Sequence, residues 1–207
     1  MMPRYTGKVT NSRAEQFMAK MQFQREQVLE QSANLFWRVG YNATSMQQVF
    51  KHTGLKPGSV YLAFGNKEAL FKESLSHYAQ LSKQGIAASL AAAQSVELGI
   101  CEILDGMVAQ SAASDYCSCF LVKSQLELSD EPTLQAFVSE QLKQIEQLYA
   151  ASLSDTYGEE QAKAKACSIM LHIFGIRVYS YHSGSELVMR QALRAGLAWL
   201  PWESLNH

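Results

Sequence analysis

Apolar side chains recur three and four positions apart along most of this chain and almost nowhere alternate, so the pattern predicts helices rather than strands. Val28, Leu29, Leu35, Phe36 and Val39, with Ser32 among them, mark one face of a first helix that starts near Gln24 and stops at Gly40. Thr44 and Ser45 can each cap a second helix, with Gln47 and Gln48 three residues on, and Met46, Val49 and Phe50 form its inner face. Gly54 ends that helix and Leu55 packs the turn. Pro57 then sits in the first turn of a third helix, where its missing N–H is harmless, and Val60 and Phe64 supply an i, i+4 apolar pair. Gly65 breaks the third helix, and Asn66 caps a fourth, whose stripe of Leu70, Phe71, Leu75, Tyr78 and Leu81 continues to about Ala93.

The later stripes are longer. They run from Val96 to Val108, from Leu134 to Leu153 and from Ile169 to Tyr181, and a last helix extends from a Ser185 cap to Leu200, before Pro201. The expected fold is all-α, with about nine helices. A small N-terminal unit, residues 23–83 with a motif at 45–64, shares its fourth helix with a larger bundle over residues 84–207.

Composition and charge narrow this picture. The chain has 207 residues, 47% of them hydrophobic, with 18 Lys/Arg against 19 Asp/Glu, so it buries a normal core and is not disordered. No window carries the roughly 18 apolar residues of a membrane span, and residues 1–22 lack an apolar signal core, which predicts a cytoplasmic protein without membrane attachment. The four cysteines are too sparse for a disulfide framework. The near-neutral total conceals an asymmetry: residues 1–75 hold ten Lys/Arg against five Asp/Glu, leaving the remainder acidic. Such a basic end suits a polyanion.

Residues 45–52 and 56–64, two short helices joined by a glycine-containing turn, read as a helix-turn-helix or as a plain αα-corner. Exposed chemistry favours the first. Lys56, Gly58, Ser59, Tyr61 and Lys67 are small, hydroxylated or cationic and cluster at the start of the third helix, where backbone N–H groups and the positive dipole end attract phosphate. The stretch from Gly40-Tyr41-Asn42-Ala43-Thr44-Ser45 through Thr53-Gly54-Leu55-Lys56-Pro57-Gly58-Ser59-Val60-Tyr61 to Phe64-Gly65-Asn66-Lys67-Glu68-Ala69-Leu70 resembles the N-terminal domain of the TetR/AcrR transcriptional regulators. The resemblance covers roughly residues 23–83. It implies a dimeric binder of double-stranded operator DNA in which Thr44, Ser45, Tyr61 and Lys67 hold phosphates while Lys56, Gly58, Ser59 and Leu62 face the groove. Ala63 departs from the histidine or other polar residue of many members, so any base it meets is met through apolar contact. Arg4, Lys8, Arg13 and Lys20 form either a basic arm for an adjacent minor groove or a frayed terminus.

The same resemblance implies a C-terminal half that senses a small-molecule effector and dimerises. Ala162, Ala164, Ala166, Ile169, Ile173, Gly175, Ile176 and Val178, then Ala192, Ala195, Gly196 and Trp199, give the eighth and ninth helices more small and apolar surface than one face needs, as in half of a four-helix homodimer interface. Met107, Phe120, Phe137, His172, Phe174 and Tyr179 line a pocket for a largely apolar ligand or belong to the core. Cys119 resembles the cysteine of a branch that senses electrophiles, although Ser118 stands where glycine is usual; it is either such a sensor or a buried thiol. Nothing in the spacing gathers Cys101, Cys117, Cys119, Cys167 and His172 into a metal site, and no cofactor motif is present. An enzyme built on His172, Cys119 and Glu127 lacks a nucleophile with an adjacent base and is excluded.

Overall fold

A computed structural model describes residues 11–113 and 117–205, with side chains from Gln24 onward. Among these residues the chain forms α1 (Asn11–Val39), α2 (Met46–Thr53), α3 (Pro57–Phe64), α4 (Lys67–Ala92), α5 (Val96–Gln110), α6 (Phe120–Glu127), α7 (Pro132–Tyr157), α8 (Glu159–Tyr179) and α9 (Glu186–Gly196), followed by a short 3-10 turn at Trp202–Ser204 and no strand. The all-α expectation therefore holds. Most termini follow the local signals: Ser45 and Gln48 close a reciprocal capping box on α2, Pro57 opens α3 after Lys56, and the Asn66 side chain accepts the Ala69 N–H to start α4.

Several expectations are corrected. The first helix begins at Asn11 rather than near Gln24, so Arg13 and Lys20 lie within α1, with side chains outside the described residues, as Arg4 and Lys8 are altogether. Ser185 precedes α9 without making a side-chain cap, and the helix ends at Gly196 rather than Leu200. Leu81 does not continue the inner stripe of α4: it is 48% exposed, because the bundle there covers the flank bearing Ala79, about 200° around the helix from it.

Helix α4 is the axis of the molecule. It packs on α1 and α3 near its start and on α5 and α7 further along, while α7 and α8 lie against one another over much of their length. Leu70, Phe71 and Leu75 are fully buried, each contributing on the order of 1.5–3 kcal/mol of burial energy. A single apolar cluster runs from Val28 and Phe36 through these residues to Tyr149 and Ile169. The division at residues 83 and 84 thus falls inside a continuous helix with a continuous core.

Candidate functional site

The first site is the α2–α3 face. Val49, Val60 and Phe64 turn inward, and Arg25 of α1 locks the end of α3 by lying 4.5 Å over the Phe64 ring, donating to the Ala63 carbonyl at 3.3 Å and pairing with Glu73 at 2.5 Å. What remains outside is Lys56, Gly58, Ser59, Tyr61 and Leu62, all exposed. Leu62 is 90% exposed and Tyr61 46%, its ring meeting Phe50 edge-on at 5.6 Å. Ser45 lies on the same surface, although its hydroxyl already serves the Gln48 N–H.

Thr44 is a correction. Its side chain is 2% exposed and its hydroxyl donates to the Gly40 carbonyl, so it braces the α1–α2 turn and has no hydroxyl free for a phosphate. Lys67 stands at the first position of α4 with its ammonium 4.4 Å from the centre of the Tyr41 ring. Partial burial there holds its pKa below the ordinary lysine value, and the charge of Glu127 opposes that shift.

Glu127 is the residue whose part in this face the sequence did not disclose. From the last turn of α6 its carboxylate accepts the N–H groups of Tyr41 at 3.0 Å and Asn42 at 2.8 Å. Gly40 lies directly beneath, with φ +94°, and an added Cβ would stand 2.9 Å from Glu127 Oε1. Only glycine meets both demands. The turn that orients α2 is therefore clamped to the C-terminal bundle.

The second site is a cavity of about 420 Å³ among α4, α5, α7 and α8, with Cys119 and Val122 at the start of α6 also in its wall. Tyr78, Ile86, Ile103, Met107, Cys119 and Arg177 are among its walls. The Tyr78 hydroxyl donates to Cys119 Sγ at 3.7 Å, and burial raises the Tyr78 pKa far above that of a free phenol. Cys101 is also buried, its thiol pushed up to about 11. From Tyr78 a chain of ring contacts leads to the first site: Tyr78 to Phe120 at 5.6 Å, Phe120 to Phe71 at 5.9 Å and Phe71 to Tyr41 at 4.7 Å.

Of the seven expected ligand residues, only Met107 and Cys119 line this cavity. Phe120 is buried in the ring stack, and Phe137 lies under Lys72, 5.8 Å away. Phe174 borders a separate recess beside α6 and α7, whereas His172 and Tyr179 face a groove between α8 and α9. Helical geometry explains the dispersal: His172 and Tyr179, seven apart, share a face of α8, and Phe174 points about 200° away from His172. His172 also presses on α9, since a Cβ at Gly196 would fall 2.1 Å from its Nε2.

That groove encloses about 650 Å³ and is lined by Leu171, Gly175, Val178, Tyr179, Val188 and Ala192 among others. Ala162, Ala166, Ile169, Ile173 and Ile176, expected on the dimer face, are instead buried within the chain, because α7 covers that side of α8. Trp199 packs on Tyr157 and Lys165. Ala164, Gly175, Val178, Ala192, Ala195 and Gly196 remain exposed.

An exposed third helix carried by a braced helix-turn-helix, on an all-helical bundle with its own cavity, is an arrangement that can present one helix to a DNA groove. Residues 28–74 match the family of bacterial regulatory proteins, tetR family. Over 130 residues, 62% of this chain and 67% of the relative, the sequence is 27% identical to the uncharacterized HTH-type transcriptional regulator YezE of Bacillus subtilis (strain 168). Over 56 residues, 27% of each chain, it is 41% identical to the HTH-type transcriptional repressor ComR of Escherichia coli (strain K12). The fold matches that of a cysteine mutant of the TetR family regulator CifR complexed with a 26-base-pair operator, with a TM-score of 0.72, 22% identity and coverage of 86% of this chain and 97% of that one. The helix-turn-helix segment is thus similar to that of tetR-family regulators, and the chain shares the fold of a solved member.

The family and the relatives are regulators rather than enzymes. His172, Cys119 and Glu127 accordingly serve three separate places: the α8–α9 contact, the cavity wall and the α1–α2 clamp. Among the described residues no three His, Cys, Asp or Glu side chains converge as metal ligands, and no helix is long and apolar enough to cross a membrane.

Proposed function

We propose that the protein is a repressor that binds a pseudo-palindromic operator in the cytoplasm as a homodimer and leaves it when a small molecule occupies the cavity beside α4. The observation that carries this reading is the exposure of Leu62, at 90%, on a helix whose other face is fully buried. An apolar side chain held out one turn beyond Ser59, itself one turn beyond Lys56, suits a thymine methyl flanked by phosphates. Ser45, Tyr61 and Lys67 are assigned to phosphate, and Lys56, Gly58, Ser59 and Leu62 to the groove. ComR is named a repressor, which supports the direction of control, and CifR is seen in complex with operator DNA.

Dimerisation is assigned to the open apolar faces of α8 and α9, which leave a groove that a second copy fills. Regulation follows from two connections between cavity and DNA face. Tyr78, Phe120, Phe71 and Tyr41 pack ring on ring, and α6 runs from Cys119 at the cavity to Glu127 at the clamp. Displacing either tilts α3 in each subunit and changes the spacing of two recognition helices. A coupling of about 1–3 kcal/mol releases operator five- to 150-fold. The test is to sequence the DNA fragments that the purified protein retains and then titrate a selected site by fluorescence anisotropy. Recovery of a two-fold repeated element supports the reading, and retention without any sequence preference overturns it.

A further inference from the structure

The cavity contains a positive charge that an apolar effector would leave unanswered. Arg177 lies within the otherwise apolar run Ile173-Phe174-Gly175-Ile176-Arg177-Val178 of α8. Its own carbonyl accepts Ser118 Oγ at 2.6 Å and Ser180 Oγ at 3.4 Å, which fixes its backbone against the segment leading into α6. Its Nε is buried without a hydrogen-bond partner among the described residues, and no carboxylate among them pairs with its guanidinium. A second buried polar atom, Tyr149 Oη, also lacks a partner there, and the charge of Arg177 acts on both Tyr149 and Tyr78, opposing the rise in their pKa values that burial causes. Glu102, the carboxylate among the cavity's lining residues, is exposed. Ile86, Ile103, Met107, Val122, Ile145 and Met170 supply an apolar wall.

An unpaired guanidinium donor inside protein is unfavourable until an acceptor reaches it, and its planar fork matches a carboxylate. We infer that the cavity takes an amphipathic monoanion, a carboxylate seated on Arg177 with an aliphatic or aromatic body along the α4, α5 and α7 walls. One guanidinium and a largely apolar lining match a single charge better than a phosphate dianion. The volume, about 420 Å³, suits a small ligand. This rests on the reading of the cavity as the effector site and names the chemistry of its occupant.

The test uses the full chain and two matched pairs of probes, decanoate with decanamide and 2-naphthoate with 2-naphthamide, followed by calorimetry. Each acid is expected to bind at least tenfold more tightly than its neutral amide. Arg177→Gln should weaken the acids about 10- to 100-fold with little change for the amides, while Arg177→Lys keeps part of the preference. The inference is overturned if the amides bind wild type as tightly as the acids, if Arg177→Gln binds the acids unchanged, or if neither acid saturates the protein by millimolar concentration. Should Arg177→Gln fail to fold, the acid-to-amide ratio in wild type and in Arg177→Lys decides. Operator anisotropy separates this from the broader reading: acids that bind through Arg177 yet leave operator affinity unchanged sink the effector role alone, whereas release by the amides and not the acids sinks the anion alone.

Discussion

Two faces of this molecule expose apolar side chains, and their surroundings differ. On α3, Leu62 and Tyr61 stand among Lys56, Ser59 and, across the turn, Ser45. On α8 and α9, Leu171, Val178, Tyr179 and Val188 border a wide groove, and the adjacent Arg190 is already engaged with Asp105 at 2.7 Å. The first surface is narrow, wet and cationic, which suits a charged polymer that displaces counterions. The second is broad and dry, which suits a matching copy of itself. Apolar exposure by itself does not name a partner; the charge around it does.

The largest effect is expected from Gly175→Glu. A Cβ at Gly175 meets nothing within 4 Å, so the subunit accommodates the side chain, but a carboxylate in the groove should split the dimer. Losing two-site attachment should weaken operator binding by about 100-fold or more. Sedimentation equilibrium that still reports a dimer would move the interface off α8.

Next in size is Gly40→Ala, which combines a left-handed backbone with a contact of 2.9 Å to Glu127. A loss of about 1–3 kcal/mol in urea unfolding is expected. Because the two residues share one clamp, adding Glu127→Ala should cost less in that background than in wild type. Strict additivity would mean that the DNA face and the bundle are not joined there.

Lys67→Ala should weaken DNA binding about tenfold on any sequence and flatten the salt dependence by about one unit of slope. Lys163→Ala, on exposed α8 beside Glu159, should leave the slope unchanged. Equal slopes for wild type and the Lys67 variant would remove Lys67 from the phosphate set. The smallest effect is expected from Leu62→Ala: about 1 kcal/mol, an unaltered salt slope and a changed base preference in selected sites. A preference that stays the same would place Leu62 outside the groove.

Local signals were enough for the helices and for the outward face of α3, since Ser45, Pro57, Asn66 and the pair Val60 and Phe64 act on backbone within one or two turns of themselves. They were not enough for Thr44, whose hydroxyl turns to Gly40, four residues back, rather than outward to solvent. The ligand residues were the least legible. Met107, Phe137, His172 and Phe174 look alike in sequence because apolar side chains at helical spacing serve a core, a pocket or an interface equally well. A lone arginine in an apolar run was the one available sign of Arg177.

Features that depend on neighbours along the chain were legible in the residues alone: an all-helical fold, the helix-turn-helix with its cationic and hydroxylated rim, and a family resemblance carried by residues 23–83. Features that depend on residues far apart in sequence emerged with the packing of the helices. Glu127 clamps Tyr41 and Asn42 across more than 80 positions, and Arg177 shares a cavity with Tyr78 and Met107. Which side of α8 stays open was likewise settled by α7 covering the other. The physical reason is that helical periodicity fixes which residues share a face, whereas the partner of that face is set by the packing of the whole bundle.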